Sequence, residues 1–156
     1  MKAIIYYLIF CGCLGLLTVL FTVLKGPILL DFIYIFYVLY MSLISMGLVY
    51  FSVNILRQES RNYYLFLLII VLLSVISFNI QGLRYSMSLG VGIVFSIIDF
   101  TNLVFNFGLS ISEFTIQYSK IDSGFSIGIN LVSLILFYFI YKGYQKVQEW
   151  LLYSIF

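Results

Sequence analysis

The sequence has no histidine, two cysteines, one proline, and only eight basic and six acidic residues among 156. Without histidine, the side chain that most often acts as a general base near neutral pH is missing. Charged residues make up 9% of the chain, against about 25% in a typical soluble domain. So few charges cannot cover a water-exposed surface, so lipid is the expected surrounding medium.

The motifs that carry chemistry in soluble proteins are also absent. The sequence has no G-x-S-x-G, P-loop, H-E-x-x-H or Rossmann glycine pattern. Cys11 and Cys13 form a lone C-x-C with no third ligand, so we interpret them as small apolar packing residues. We predict no metal site and no cofactor. The net charge of +2, with Lys and Arg dispersed, predicts no nucleic-acid partner.

Long uncharged runs separate the charges, and a helix needs about 20 such residues to cross a bilayer. The runs predict transmembrane spans at residues 3–24, 32–56, 63–83 and 123–141. They are continuous rather than alternating, and helices satisfy their own backbone in lipid. The predicted fold class is therefore all-α, a polytopic transmembrane helix bundle. No linker or repeat interrupts residues 1–156, which predicts a single integral membrane domain.

The segment 85–119 is ambiguous. Its first half has 14 residues without charge, YSMSLGVGIVFSII, which is too short to span alone. In its second half, helical spacing places six polar residues on one face: Asp99, Asn102, Asn106, Ser110, Glu113 and Gln117. This predicts an amphipathic helix. The polar stripe either lines a polar cavity or faces water at the membrane surface. Its candidate site residues are Asp99, Asn102, Asn106 and Glu113.

The distribution of basic residues favours one orientation. With four spans, one side carries Lys2, Arg57, Arg61, Lys142 and Lys146, and the other carries Lys25, Arg84 and Lys120. A fifth span would split them four and four. We expect a multi-pass cell-membrane protein with both termini cytoplasmic. The tail, residues 142–156, is predicted to be an interfacial anchor because Trp and Tyr favour the head-group level.

Small residues recur at a spacing of four, which is typical of helices that pack closely in lipid. The two ridges are Ser88, Gly92 and Ser96, and Gly124 and Gly128. They predict helix packing within the protein, with another membrane protein, or with a second copy.

Arg84 closes the third apolar run, after Asn79, Gln81 and Gly82. One interpretation is an interfacial anchor whose guanidinium reaches the head groups. The other is a phosphate clamp, because guanidinium is always charged and offers a planar fork of donors. In that position it would hold a lipid pyrophosphate.

Residues 62–98, NYYLFLLIIVLLSVISFNIQGLRYSMSLGVGIVFSII, resemble the bacterial exopolysaccharide and O-antigen polymerases of the EpsG type. Those proteins carry an apolar span, an asparagine–glycine–arginine–glutamine-like turn and a further apolar helix. Here the turn reads NIQGLRYSMSLG, and Tyr85 stands where glutamine is usual. A histidine-containing helix common downstream is missing, and family members are much longer, so the chain would be a fragment or a reduced relative.

The resemblance implies that the protein joins glycan repeat units carried on undecaprenyl pyrophosphate, at the extracytoplasmic face. Arg84 would neutralise the pyrophosphate leaving group, which requires no histidine; no other catalytic residue is assigned. Two alternatives stay open. One is a non-enzymatic accessory or immunity-type membrane protein that acts through helix–helix contacts, and the other is a small transporter or channel subunit lined by the polar stripe.

Overall fold

Helices stand at both ends of the chain, and an antiparallel sheet lies between them. The computed structural model describes residues 1–25, 32–81, 83–99, 104–111, 114–118 and 124–153. The elements run in the order α1 (Lys2–Lys25), α2 (Phe32–Arg57), α3 (Arg61–Val75), β1 (Ile76–Ile80), β2 (Leu83–Met87), β3 (Val91–Asp99), β4 (Val104–Ile111), β5 (Phe114–Tyr118), β6 (Phe125–Asn130) and α4 (Leu131–Tyr153).

The predicted all-α bundle is therefore wrong. Spans 3–24 and 32–56 are helical, within α1 and α2. Span 63–83 is helical only as far as Val75, and span 123–141 contains strand β6 before α4 begins. Among the described residues, two helical stretches are long and apolar enough to cross a membrane, Lys2–Leu24 and Ile35–Arg57.

The change from helix to strand at the end of α3 has a local cause. Ile76 is already extended, with φ −104° and ψ 133°. Beyond Val75 the apolar residues alternate with Ser77 and Asn79. On a helix these two polar side chains would point in nearly opposite directions, whereas on a strand they share one face. The strand therefore separates polar from apolar side chains where a helix would mix them.

The predicted amphipathic helix in 85–119 is also wrong, because the described part of this segment forms β2 to β5. A spacing of four residues returns a side chain to nearly the same face of a helix, but also to the same face of a strand. Asn106 and Ser110 lie on one face of β4, and Gly92 and Ser96 on one face of β3. Of the residues interpreted as helix-packing ridges, Gly92, Ser96 and Gly128 lie on strands, and Ser88 and Gly124 lie in connections outside them.

Described parts of all four helices share one apolar core. Fully buried members are Leu8 of α1, Leu48 of α2, Val71 of α3 and Ile140 of α4. From residues 76–130, the core cluster includes only Met87 and Leu89 among the described positions. α4 extends to Tyr153, so residues 142–153 continue a helix that begins at Leu131; residues 154–156 lie outside the described residues. The sheet therefore contacts the helices mainly through one end of its strands rather than through a whole face.

The sheet has the strand order β4-β3-β6-β1-β2-β5, and every neighbouring pair is antiparallel. We call the end that joins the helices the base; it holds Ile76, Asn130 and the connection 88–90. The opposite end, with Ile80, Leu83 and Phe125, is called the mouth.

One face of the sheet is small or polar and the other is large and apolar. The pairing register aligns Asn106, Ser96, Gly128 and Ser77 across four adjacent strands. A second register row joins Ser126, Asn79 and Arg84. The other face carries Ile76, Phe78, Ile80, Leu83, Tyr85, Val91, Ile93, Phe95, Ile97, Phe105, Phe107, Leu109, Ile111, Phe125, Ile127 and Ile129. Its exposed members form an apolar outer surface.

Chain connectivity forces this sheet to curl. β4 and β5 lie at opposite ends of the strand order, yet only residues 112 and 113 separate them. Those residues allow at most about 11 Å between the Cα atoms of Ile111 and Phe114, whereas five strand spacings in a flat sheet measure about 24 Å. The two edges must therefore approach each other at the base, with the polar face turned inward.

Glycine makes this curl possible at Gly128. A Cβ added there would lie 2.6 Å from Ser77 Oγ and 3.0 Å from both Ser96 Cβ and Val94 Cγ1. Gly108 shares the same inner face, but a Cβ there meets nothing within 4 Å. Gly128 and Gly108 therefore form a matched pair of positions, one crowded and one open, at which the same substitution can be compared.

We expect Gly128→Ala to lower the unfolding free energy by about 1–3 kcal/mol, because the added methyl overpacks the inner face. Gly108→Ala should change it by less than about 0.5 kcal/mol. Thermal unfolding in detergent, followed by circular dichroism, measures both. Equal effects of the two substitutions would show that the inner face is not tightly curved at β6.

Candidate functional site: the cavity inside the curled sheet

The inner face encloses a cavity of about 450 Å³, which we call the sheet cavity. It is lined by residues of β1, β2, β3 and β4 and by the start of β6 with the preceding Gly124: Ser77, Phe78, Asn79, Arg84, Tyr85, Ser86, Val94, Ser96, Ile98, Asn106, Gly108, Leu109, Ser110, Gly124, Phe125 and Ser126. Hydroxyl and amide groups dominate the inward positions. Residues of β2 and β4 line the same cavity although these strands lie far apart in the strand order, because the sheet is curled.

Arg84 is the one charged residue among the described lining residues. It lies on β2, opposite Asn79 of β1 and opposite Gln117 of β5 in the pairing register. These positions are at the mouth. Arg84 is exposed, and within the described part of the chain it has no ion-pair partner. A guanidinium so placed, among neutral hydrogen-bonding groups, provides an electrostatic site for an anion.

The base of the sheet contains a cluster of buried polar atoms, of which only that of Ser110 belongs to the described lining of the sheet cavity. Ser88 Oγ, Ser110 Oγ and Asn130 Nδ2 all face the position that a Cβ of Gly92 would occupy. Ser88 and Asn130 are 3% and 2% exposed, and none of the three atoms has a hydrogen-bond partner among the described residues. A buried polar group without a partner costs about 1–3 kcal/mol, so the cluster is a place where polar ligand atoms or water would be stabilised.

Asn130 also links the cavity to the helices. Its Oδ1 accepts a hydrogen bond from the backbone N–H of Ser133 at 3.3 Å, at the start of α4. This is the arrangement of an N-cap, which satisfies one of the free N–H groups of a helix start. The same side chain thus fixes the beginning of α4 and presents its Nδ2 to the cluster around Gly92.

The base contacts the first half of α1. Tyr7 Oη donates a hydrogen bond to the carbonyl oxygen of Val91 at 3.4 Å. Cys11 is buried with its Sγ against Gly90, while Cys13 is exposed, and both cysteines are free. At the far end of the helices, Met1 and Tyr64 surround Gly143. These contacts place the base of the sheet about ten residues along α1.

The structure brings only some of the predicted site residues together. Arg84, Asn106 and Ser96 line the sheet cavity, as does Gly124. Ser88 and Gly92 lie at its base. Asp99 is the last residue of β3, and Asn102 and Glu113 lie outside the described residues. The polar stripe therefore contributes Asn106 and Ser110 to the cavity, from a strand rather than a helix.

Sequence reasoning missed Ser77, Asn79, Ser126 and Asn130 as members of one site. A signal for them was present, because ISFNI, LRYSM and FSIGIN each alternate large apolar with small or polar residues. Embedded in longer apolar runs, these short alternations looked like parts of spans. Among the described residues there is no group of three potential metal-ligating residues.

Comparison with family models, curated proteins and solved structures finds no match to this chain. The resemblance to the polysaccharide polymerases stays a prediction. Its second apolar helix is not present over Val91–Asp99, where the structure has β3. Arg84 keeps its predicted place between two apolar segments, although both neighbouring segments are strands.

The strand assignment predicts alternating accessibility along β4. In a protein with both native cysteines replaced by serine, a water-soluble maleimide should label Asn106→Cys and Gly108→Cys. It should label Phe105→Cys and Phe107→Cys much more slowly in liposomes, because a thiol in hydrocarbon stays protonated and unreactive. Labelling rates from mass spectrometry test this. A three-to-four-residue period would instead indicate a helix.

Proposed function

We propose that this chain is a membrane-embedded protein that binds the phosphorylated head group of a long-chain lipid in the sheet cavity, with Arg84 as the phosphate clamp. One observation supports it above the others. A polar cavity with a single described arginine in its lining is enclosed by a wall whose outer surface is aliphatic and aromatic.

The outer surface argues for lipid around the sheet. Phe107, Leu109 and Ile111 are 70%, 83% and 67% exposed, and they are neighbours on one face of β4. A soluble monomer rarely exposes a continuous apolar patch of this kind. The two apolar helices support the same surroundings, since only 28% of each hydrophobic window is buried within the protein. A core helix of a soluble protein would be mostly buried.

Depth in the bilayer follows from the contacts of α1. A helix rises about 1.5 Å per residue, so Tyr7 and Cys11 contact the base about 8 and 14 Å from the start of the 24-residue helix α1. If α1 crosses the membrane, the base lies between its N-terminal end and the bilayer centre, and Arg84 at the mouth lies nearer the opposite face.

Orientation is part of the proposal. Met1 and Tyr64 meet at Gly143, so the N-terminus, the α2–α3 connection and the second half of α4 lie at one end of the protein. That end carries Arg57, Arg61 and Lys142, and basic residues favour the cytoplasmic side. We place both termini in the cytoplasm, and the mouth of the sheet cavity towards the extracytoplasmic face.

The chemistry of the cavity suits phosphate binding. No acidic side chain appears among its described lining residues, so an anion meets no like charge there. Guanidinium binds two phosphate oxygens at once. The amide of Asn79 and the hydroxyl of Ser126 lie in the same register row as Arg84, and Ser86 lies two positions further towards the base. These neutral groups add hydrogen-bonding capacity without cancelling the charge of Arg84.

Binding measurements on Arg84 variants test the clamp. We expect Arg84→Ala to weaken binding of undecaprenyl phosphate in detergent by about 10- to 100-fold, through loss of charge-assisted hydrogen bonds. The affinity of Arg84→Lys should lie between those of the wild type and Arg84→Ala, because an ammonium keeps the charge but lacks the planar fork of donors. Undecaprenol, the uncharged alcohol, should bind the wild type more weakly than the phosphate does.

Arg57→Ala is the matched control, because Arg57 ends α2 and is not part of the sheet-cavity lining. It should leave the affinity unchanged. Equal binding of phosphate and alcohol, or an equal loss in the Arg57 and Arg84 variants, would show that Arg84 is not a phosphate clamp.

The finer proposal is that the bound lipid carries a glycan repeat unit and that the chain acts in polymer formation, as the polymerase resemblance implies. The contribution of the described residues would be to hold the lipid phosphate and to stabilise negative charge on the leaving pyrophosphate at Arg84.

We expect expression in a polymerase-deficient strain to lengthen the glycan, and Arg84→Ala to abolish the effect. Gel analysis of the glycan measures chain length. If wild-type expression yields no polymer, the polymerase proposal is wrong and only binding remains.

A further inference from the structure

Among the described residues, the two edge strands of the sheet-cavity wall are not joined by a ladder. The strand order begins with β4 and ends with β5. We call the gap between these two strands the seam. At the base the seam is held together, because only residues 112 and 113 separate Ile111 from Phe114. At the mouth its two sides, Val104 and Tyr118, have no such link within a short stretch of chain.

An open seam in lipid has an energetic consequence. Alternate residues of an edge strand direct their backbone N–H and C=O groups away from their only partner strand. In hydrocarbon each such unsatisfied group costs several kcal/mol, and open sheet edges do not occur there. The backbone groups along β4 and β5 therefore need polar partners, either on the facing strand or on a molecule that lies between the two strands.

Arg84 lies level with the mouth end of the seam. It is one position from Leu83, whose register partner is Tyr118 at the end of β5. Asn106, on the other side of the seam, is close to the start of β4 and lines the same cavity. A phosphate held by Arg84 would therefore lie beside the part of the seam that the chain does not tie together.

The apolar outer face of the wall then provides a path for the hydrocarbon chain of the lipid. Phe105 and Phe107 lie on the outer face of β4, next to the same end of the seam, and are 54% and 70% exposed. The base offers no alternative exit, because it is closed by the contacts of Tyr7 and Cys11 with residues 90 and 91.

We infer that the seam is a lateral entry: the lipid phosphate enters the sheet cavity from the bilayer between β4 and β5, and the hydrocarbon chain stays in the seam, against the aromatic outer face. This inference rests on the proposed function. It identifies the ligand as one with a long flexible hydrocarbon chain, because the exposed rings of Phe105 and Phe107 beside the seam suit an apolar chain. It also assigns Phe105 and Phe107 as contacts of that chain.

A disulfide across the mouth end of the seam tests the entry. If β4 and β5 continue as a hairpin from residues 112–113, Phe107 faces Tyr118 and Ile111 faces Phe114. In a cysteine-free background, the pair Phe107→Cys/Tyr118→Cys closes the mouth end when oxidised. The pair Ile111→Cys/Phe114→Cys is the matched control, because it bridges the base, where the chain already joins the strands.

We expect oxidation of the mouth pair to lower the affinity for undecaprenyl phosphate by about tenfold or more, and reduction to restore it. Binding of inorganic phosphate should not change, since it needs no room for a chain. The base pair should bind the lipid equally well in both redox states. Equilibrium binding in detergent, with disulfide formation checked by mass spectrometry, provides the data.

Three results would overturn the lateral entry while leaving the phosphate site intact. The oxidised mouth pair binds the lipid as well as the reduced pair, which places the chain at the mouth opening instead. The mouth pair fails to oxidise although the base pair does, or it cross-links two copies, which shows that the two edges do not meet in one chain. Failure of the unmodified protein to bind undecaprenyl phosphate at all would instead refute the proposed function.

Discussion

The structure depends on one requirement: polar backbone and side-chain groups must be kept away from an apolar exterior. Helices meet it by pairing their backbone internally, as α1 and α2 do. The sheet meets it differently, by placing its small and polar side chains on one face and curling that face inward. The two-residue connection between β4 and β5 imposes the curl, because a flat sheet would hold these strands too far apart. Without the curl, Asn106, Ser96 and Ser77 would lie on an open face of the sheet.

The curl also decides what the inner face can contain. The Cβ of Ser96 and the hydroxyl of Ser77 lie around Gly128, where a side chain would not fit without displacement. Most large residues are therefore on the outside, and the inside has mainly serine, glycine and asparagine, with Val94, Ile98 and Arg84 among them. Arg84 is the one charged side chain among the described lining residues. The inward curl therefore accounts both for the small residues on the inner face and for the polar groups that line the cavity.

Helices and sheet are coupled at the base. Asn130 accepts a hydrogen bond from the first turn of α4 and lies beside Ser88, Ser110 and Gly92 on the cavity side. Tyr7 and Cys11 connect the same region to α1. Ligand atoms that satisfy the buried polar groups would therefore act on residues that also position two helices. The base is consequently the place where occupancy of the cavity and stability of the helical part are linked.

The sequence by itself determined α1, α2 and α3 as far as Val75, because long uncharged runs have few other stable forms in lipid. It also singled out Arg84, since a lone arginine between two apolar segments is conspicuous without any knowledge of the fold. It did not distinguish strand from helix over 76–118, because a spacing of four residues suits one face of either element, as Gly92 and Ser96 show. Only the tertiary structure decided that Ser77 lies beside Gly128 and that Asn79 pairs with both Ser126 and Arg84. Pairing between strands depends on contacts between residues far apart in the chain, and no local pattern specifies which partners will meet.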